Sequence, residues 1–388
     1  MSYRPSTRLI TGNALAELRK MPAASFDAVL CDPPYGLTSG KKGGSGPASV
    51  NLDHPGGRAR VTTGFMGMAW DGMIPGTEVW AEVLRALKPG APLLAFGGTR
   101  TYHRLACAIE DAGFIISDTL CWLHGQGFPK GHAQLKPAWE PITLAWKKGK
   151  RALAIDAARI PANGESLGGG QNTTGRQAAA EGWRRPWMKD ERAVEASIQR
   201  ASEAVAKAES QGRWPANVLL DGTAAAALDL QSGTLTSGNN PAVRHSPKTR
   251  DIYGLGFGDQ CLVRRPTNSG GASRFFYCAK ASRSERGEGN THPTVKPLKL
   301  LEYLARLILP PVRETPRRLL VPFSGSGSEL LAARSAGWDE AVGIEIDPRY
   351  VRMARSRLGI LEAPVSNRVQ RTAKISRTEQ AKVLKATA

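Results

Sequence analysis

The feature that most narrows the fold lies in the last quarter of the chain. Leu319-Leu320-Val321-Pro322-Phe323-Ser324-Gly325-Ser326-Gly327-Ser328 is a short apolar run entering a glycine turn. Glu329-Leu330-Leu331-Ala332-Ala333 continues it as a helix start, and Ala341-Val342-Gly343-Ile344-Glu345-Ile346-Asp347 is a second apolar run. Strand, turn, helix and strand in this order predict a Rossmann-like α/β unit. Gly325 and Gly327 let backbone approach a ligand closely. Glu345 follows the turn by about twenty residues, the spacing of an acid that grips ribose hydroxyls. The third glycine of a dinucleotide fingerprint is missing, since Leu330 stands there. That disfavours a nicotinamide cofactor, whose pyrophosphate rests on such a loop. A generic strand–turn–helix of an α/β sheet is the other reading of this segment.

A second informative segment stands far away, near the start. The apolar run Phe26-Asp27-Ala28-Val29-Leu30-Cys31 ends in Asp32-Pro33-Pro34-Tyr35. Asp32 brings an acceptor, Pro33 a carbonyl fixed by the next proline, Pro34 a stiff turn and Tyr35 a flat aromatic face. Together these suit the grip of an exocyclic amino group on a nucleobase whose ring is stacked. Taken alone, the segment is equally readable as a loop start with Tyr35 as a half-buried anchor.

Charge favours the first reading. The 388 residues carry 53 Lys and Arg against 34 Asp and Glu, a net charge of +19, which suits a polyanionic partner such as nucleic acid. No apolar run is long enough to span a membrane, and the opening residues lack the apolar segment of a secretory signal. The five cysteines (Cys31, Cys107, Cys121, Cys261 and Cys278) form no CxxC pair, and the six histidines show no ligand spacing. Reduced thiols, a cytoplasmic setting and no metal site are therefore expected.

The four segments DPPY, His292-Pro293-Thr294-Val295-Lys296-Pro297, FSGSG and Gly343-Ile344-Glu345-Ile346-Asp347 resemble, in this order, the β class of DNA amino-methyltransferases. Those enzymes methylate adenine N6 or cytosine N4 in DNA. The resemblance covers most of residues 5–147 and 270–360. It implies a circularly permuted Rossmann-like fold, S-adenosyl-L-methionine as cofactor and double-stranded DNA as partner. It also implies a monomer or homodimer in the cytoplasm of a bacterial cell or phage-infected host. Several stretches, among them Gly125-Gln126-Gly127-Phe128-Pro129-Lys130, are similar to phage and prophage members. The implied catalytic residues are Asp32, Pro33, Pro34 and Tyr35. The implied cofactor contacts are Asn13, Thr294, Lys296, Phe323, Gly325, Gly327, Glu345 and Asp347. Thr294 and Lys296 would meet the cofactor carboxylate, although Lys296 also reads as a solvated charge ahead of a helix. Two positions depart from the pattern: Asn13 replaces a frequent Asp, and Val321 replaces the Asp that often opens the cofactor motif. The Asp of DPPY is commoner among adenine enzymes, with cytosine N4 as the alternative; a DNA-binding relative that has lost catalysis is a third reading.

The division expected is 1–147 for the catalytic half, 148–269 for an inserted target-recognition region, 270–362 for the cofactor half and 363–388 for a basic tail. Apolar residues at three- and four-residue steps, Leu300, Leu301, Leu304, Leu307 and Ile308, predict a helix packed on the core. Ile115–Leu123 and Trp139–Trp146 are expected as the terminal antiparallel pair of the sheet. Within 148–269, Asp190–Ser210 reads as an amphipathic helix presenting Val194, Ile198, Ala201 and Val205. Arg184 and Arg185, between Trp183 and Trp187, are candidate DNA contacts. So are Lys41, Lys42, Arg58 and Arg60 in the glycine-rich stretch after Tyr35, and the tail adds DNA affinity without sequence preference.

Overall fold

The computed structural model describes residues 5–36, 74–125, 127, 135–162, 190–237, 268–279 and 295–360. Lys41, Lys42, Arg58, Arg60, Arg184, Arg185, Thr294 and the tail lie outside these residues.

The N-terminal half runs β1 (Ser6–Thr11), α1 (Ala14–Arg19), β2 (Ala28–Cys31), α2 (Thr77–Ala86), β3 (Pro92–Phe96), α3 (Tyr102–Asp111), β4 (Ile115–Leu123) and β5 (Trp139–Trp146). Then follow α4 (Glu191–Gln211), β6 (Val218–Asp221), α5 (Gly222–Ser232), β7 (Leu235–Ser237), β8 (Asn268–Gly270) and β9 (Tyr277–Ala279). The chain closes with α6 (Leu298–Leu307), β10 (Arg318–Val321), α7 (Ser328–Ala336), β11 (Glu340–Glu345) and α8 (Pro348–Leu358).

Among the described residues the main sheet has the order β1-β11-β10-β2-β3-β5-β4-β6-β9, and β7 and β8 form a separate ribbon. Every neighbouring pair in the main sheet is parallel except those made by β5. From β10 the chain winds through α7 to β11 on one side, and from β2 through α2 to β3 on the other. The winding reverses where β10 meets β2, with Leu319 opposite Ala28 and Leu320 opposite Val29. Ligands of doubly wound sheets bind outside the strand ends at such a reversal. The cofactor-type unit thus follows the catalytic unit in sequence yet lies beside it in the sheet, as the permuted fold requires.

The central strands are apolar throughout because helices cover both faces. In β2, Ala28 and Leu30 join the core beneath α6 and α7, whereas Val29 and Cys31 join the core beneath α2 and α3. In β10, Leu319 and Val321 face the first layer and Leu320 the second. The leucine pattern of α6 is realised: Leu300, Leu301, Leu304, Leu307 and Ile308 are all buried. Truncating one such leucine to alanine costs about 2–5 kcal/mol. Among the described residues no helix is long and apolar enough to cross a membrane.

β4 and β5 occupy the expected residues and pair antiparallel with each other. They do not end the sheet. Cys121–Leu123 pairs further with Val218–Leu220, and Leu219–Asp221 with Tyr277–Ala279. An edge strand with open N–H and C=O groups is a pairing template, and these two short strands cover it. Part of 148–269 therefore extends the catalytic sheet, which its irregular sequence rhythm did not suggest. The helix expected at 190–210 is α4; nothing is described of the side chains of Val194, Ile198, Ala201 and Val205.

Candidate active site at the sheet reversal

A cavity of about 1110 Å³ lies at the reversal, lined from one side by Asp32–Tyr35 and from the other by Phe323–Ser326. It exceeds the roughly 300–1,000 Å³ of a pocket for one small ligand. Asn13, Lys296, Glu329 and Glu345 also line it.

The Asp32–Tyr35 turn is held by the segment between β3 and α3. Thr101 Oγ1 donates to the Tyr35 carbonyl at 2.7 Å. Gly98 makes room for the ring, since a Cβ there would stand 3.1 Å from Tyr35 Cδ2. Cys31, directly before the turn, is fully buried in the core.

Lys296 stands ahead of α6, far from DPPY in sequence but in contact with it in space. Its ammonium donates to Asp32 Oδ2 at 2.7 Å and to the Tyr35 hydroxyl at 3.0 Å, and lies 3.2 Å from Glu140 Oε2. The Tyr35 hydroxyl donates in turn to Glu140 Oε2 at 3.0 Å. Lys296 is buried, with 6% of its side chain exposed. Thus Lys296 is not a solvated charge: its ammonium meets two carboxylates of the chain itself. The other oxygen of Asp32, Oδ1, is buried with no hydrogen-bond partner among the described residues. A buried acceptor left open is costly unless a ligand fills it.

Burial pushes the Asp32 carboxyl up from its ordinary range, against the lowering pull of Lys296, while Glu140 adds to the rise. Burial would lower the Lys296 ammonium, yet Asp32 and Glu140 outweigh it and hold the charge on. Glu329, in the first turn of α7, is pushed up to about 8 by burial and by the charge of Asp32.

On the cofactor side, Gly325 and Gly327 adopt φ of +47° and +80°. Glu345 Oε2 accepts from Gly325 N and Oε1 from Asp347 N, each at 2.8 Å. These contacts fix the carboxylate while leaving lone pairs over, since a carboxylate has about four acceptor sites. Burial raises the Glu345 carboxyl, and the two backbone donors oppose this. Phe323 lines the cavity and meets Trp80 edge-on at 6.2 Å. Asn13 also lines it and caps α1 by accepting from Ala16 N at 3.2 Å. Gly327 and Asp347 stand behind the lining: Asp347 caps α8 through Arg349 N, and a Cβ on Gly327 would meet Ala354 Cβ at 3.0 Å. Arg357 reaches back from α8 to Ser326 O at 2.6 Å and Ser328 Oγ at 2.9 Å, bracing the turn.

Sequence reasoning missed Glu140, Glu329 and Arg357. One signal pointed to Glu140: a carboxylate at the start of an antiparallel strand beside parallel ones lies at their C-terminal ends, where the site is. Glu329 resembles any acid in a first helical turn, and only tertiary packing buries it.

A family model described as DNA methylase, of the N6/N4 methyltransferase kind, matches residues 26–356. The Type II methyltransferase M.HindIII of Haemophilus influenzae is 26% identical over 135 residues, 29% of this chain and 42% of that protein. The chain thus spans less than half the length of this curated relative. Similar solved structures include an M1.HpyAVI–SAM complex, 15% identical with a TM-score of 0.40 over 91% of this chain and all of that one. A DNA modification methylase of Thermus thermophilus, complexed with S-adenosyl-L-methionine, is 18% identical with a TM-score of 0.40 over 91% and 95% of the two chains. PvuII DNA methyltransferase, described as cytosine-N4-specific, is 14% identical with a TM-score of 0.45 over 94% and 89%. With the family model matched across most of its length, this chain belongs to the N6/N4 family of DNA methylases.

Proposed function

We propose that the chain transfers a methyl group from S-adenosyl-L-methionine to the N6 amine of an adenine flipped out of double-stranded DNA. The observation that carries this reading is the open, buried Oδ1 of Asp32, on a cavity shared with the glycine turn and Glu345. The residues present suit the donor. From Pro322 to Tyr350 the lining holds the carboxylate of Glu345 and the carboxyl of Glu329 but no Lys or Arg. A lobe of this sign welcomes a cationic sulfonium compound and repels a pyrophosphate. Glu345, Phe323 and the backbone of Gly325 would hold it, with Asn13 beside them. S-adenosyl-L-methionine supplies an electrophilic methyl group.

The rest falls to the chain. An exocyclic amine is a poor nucleophile because its lone pair is spread into the ring. Asp32 Oδ1 and the Pro33 carbonyl accept its two N–H groups, favour a pyramidal nitrogen and localise that pair. Tyr35 stacks on the extruded base. Catalysis is then orientation and electrostatics, without a covalent enzyme intermediate. Lys41, Lys42, Arg184 and Arg185 are proposed phosphate contacts, and Thr294 a contact to the donor. The Asp at the head of DPPY is what favours adenine over cytosine.

The test is incubation of the full chain with unmethylated genomic DNA and labelled S-adenosyl-L-methionine, followed by nucleoside mass spectrometry. Label in N6-methyladenine is expected. Label in N4-methylcytosine would overturn the choice of base, and DNA binding without transfer would overturn the enzyme reading.

A further inference from the structure

Glu140 lines the cavity and is tied into the same cluster. It sits on β5, accepts from the Tyr35 hydroxyl at 3.0 Å and lies 3.2 Å from the ammonium that binds Asp32. One buried lysine is thereby shared by two carboxylates. Such an arrangement is more than a salt bridge needs, because Asp32 alone neutralises Lys296.

We propose, building on the methyl-transfer reading above, that Glu140 is a positioning residue that makes Asp32 a proton acceptor in the transfer by sharing the Lys296 ammonium with it. The amine forms its new N–C bond as the methyl's bond to sulfur breaks, with that electron pair staying on sulfur. One N–H bond then breaks, its pair stays on nitrogen, and the proton passes to Asp32 Oδ1. The Asp32 carboxylate becomes a neutral acid. Without Glu140 this step would strand a buried ammonium, and such a charge is costly when unpaired. With Glu140 in place, Lys296 keeps its proton and its counter-charge throughout. The proton leaves Asp32 for solvent when the product vacates the cavity.

The groups that face Asp32 come from several elements. Cys31 precedes it and Tyr35 follows three residues on, Lys296 precedes α6, Glu140 lies on β5 and Glu329 on α7. His124 Nε2 lies 4.0 Å from Glu140 Oε1. Arg100 and Lys136 line the same cavity. Burial and the charge of Asp32 together push the Glu329 carboxyl up to about 8.

The experiment is the pH dependence of kcat for methyl transfer to genomic DNA by the full chain, wild type against Glu140→Gln and Glu140→Asp. Removing the charge leaves Lys296 to Asp32 alone. E140Q is therefore expected to move the acidic limb to lower pH, by on the order of one unit. It should also lower the plateau kcat while donor KM stays within about twofold. E140D keeps the charge and should leave the limb at the wild-type position. An E140Q limb that stays put or moves up overturns the proposal. So does loss of folding in E140Q and E140D alike, which would make Glu140 a structural residue. A wild type that binds DNA but transfers no methyl group would instead defeat the underlying reading, and the proposal with it.

Discussion

Lys296→Met removes the ammonium that joins the two ends of the sequence, 264 residues apart, at Asp32. Methionine fills a similar volume, so the loss is electrostatic rather than a cavity. Asp32 and Glu140 then face each other with no cation between them, and Asp32 Oδ1 is already without a partner. Breaking a buried pair by removing one member costs about 3–5 kcal/mol. The pair is nearly closed to water, with 6% of Lys296 and 12% of Asp32 exposed, so the upper part of that range is expected. Denaturant unfolding of the full chain at neutral pH measures it. Asp32→Asn in the K296M background removes one of the two stranded charges, so the double variant should recover part of the loss, a coupling of roughly 1–3 kcal/mol. A K296M chain that loses less than about 1 kcal/mol, with an additive double variant, would refute the reasoning.

Glu329 gives a pH dependence of defined sign. Its carboxyl titrates at about 8 when folded, against an ordinary 4.5. Below the lower value it is protonated in both states; between the two, the folded chain holds a proton that the unfolded chain has released. Stability therefore falls as pH rises from about 4.5 to about 8, by at most about 5 kcal/mol, and is flat beyond. E329Q should flatten that slope in thermal melts across the window; a slope equal to wild type would remove Glu329 as its source. Glu345→Ala should weaken donor binding at least about tenfold in calorimetry, the loss of one to two hydrogen bonds to a charged group; unchanged affinity would take Glu345 out of the site. Gly327→Ala forces a side chain into the left-handed region and against Ala354, and should cost at least about 1–2 kcal/mol in unfolding; a neutral outcome would show that α8 yields at that contact.

Much of the fold is legible in the sequence because it is written in local patterns. The runs of β2 and β10, the leucine spacing of α6, and the limits of β4 and β5 are all hydrophobic periodicities. The sheet extension is not, since β6 and β9 are four and three residues long and sit in sequence without rhythm. The site divides in the same way. DPPY and the glycine turn are contiguous, so residue type and spacing reveal them. The role of Lys296 is not contiguous: its partners lie on β5 and at the end of β2, and the sequence offers only a basic residue between a valine and a proline. Asp347 and Gly327 show the reverse, motif positions whose observed contacts are a helix cap and a close helix approach.

The most direct measurement is methyl transfer and donor binding on one preparation of Asp32→Ala. Donor affinity within about twofold of wild type, with transfer reduced at least about 10²-fold, is the result expected if Asp32 acts on the amine and not on the cofactor. Near-normal transfer would contradict the assignment of the reaction to this cavity.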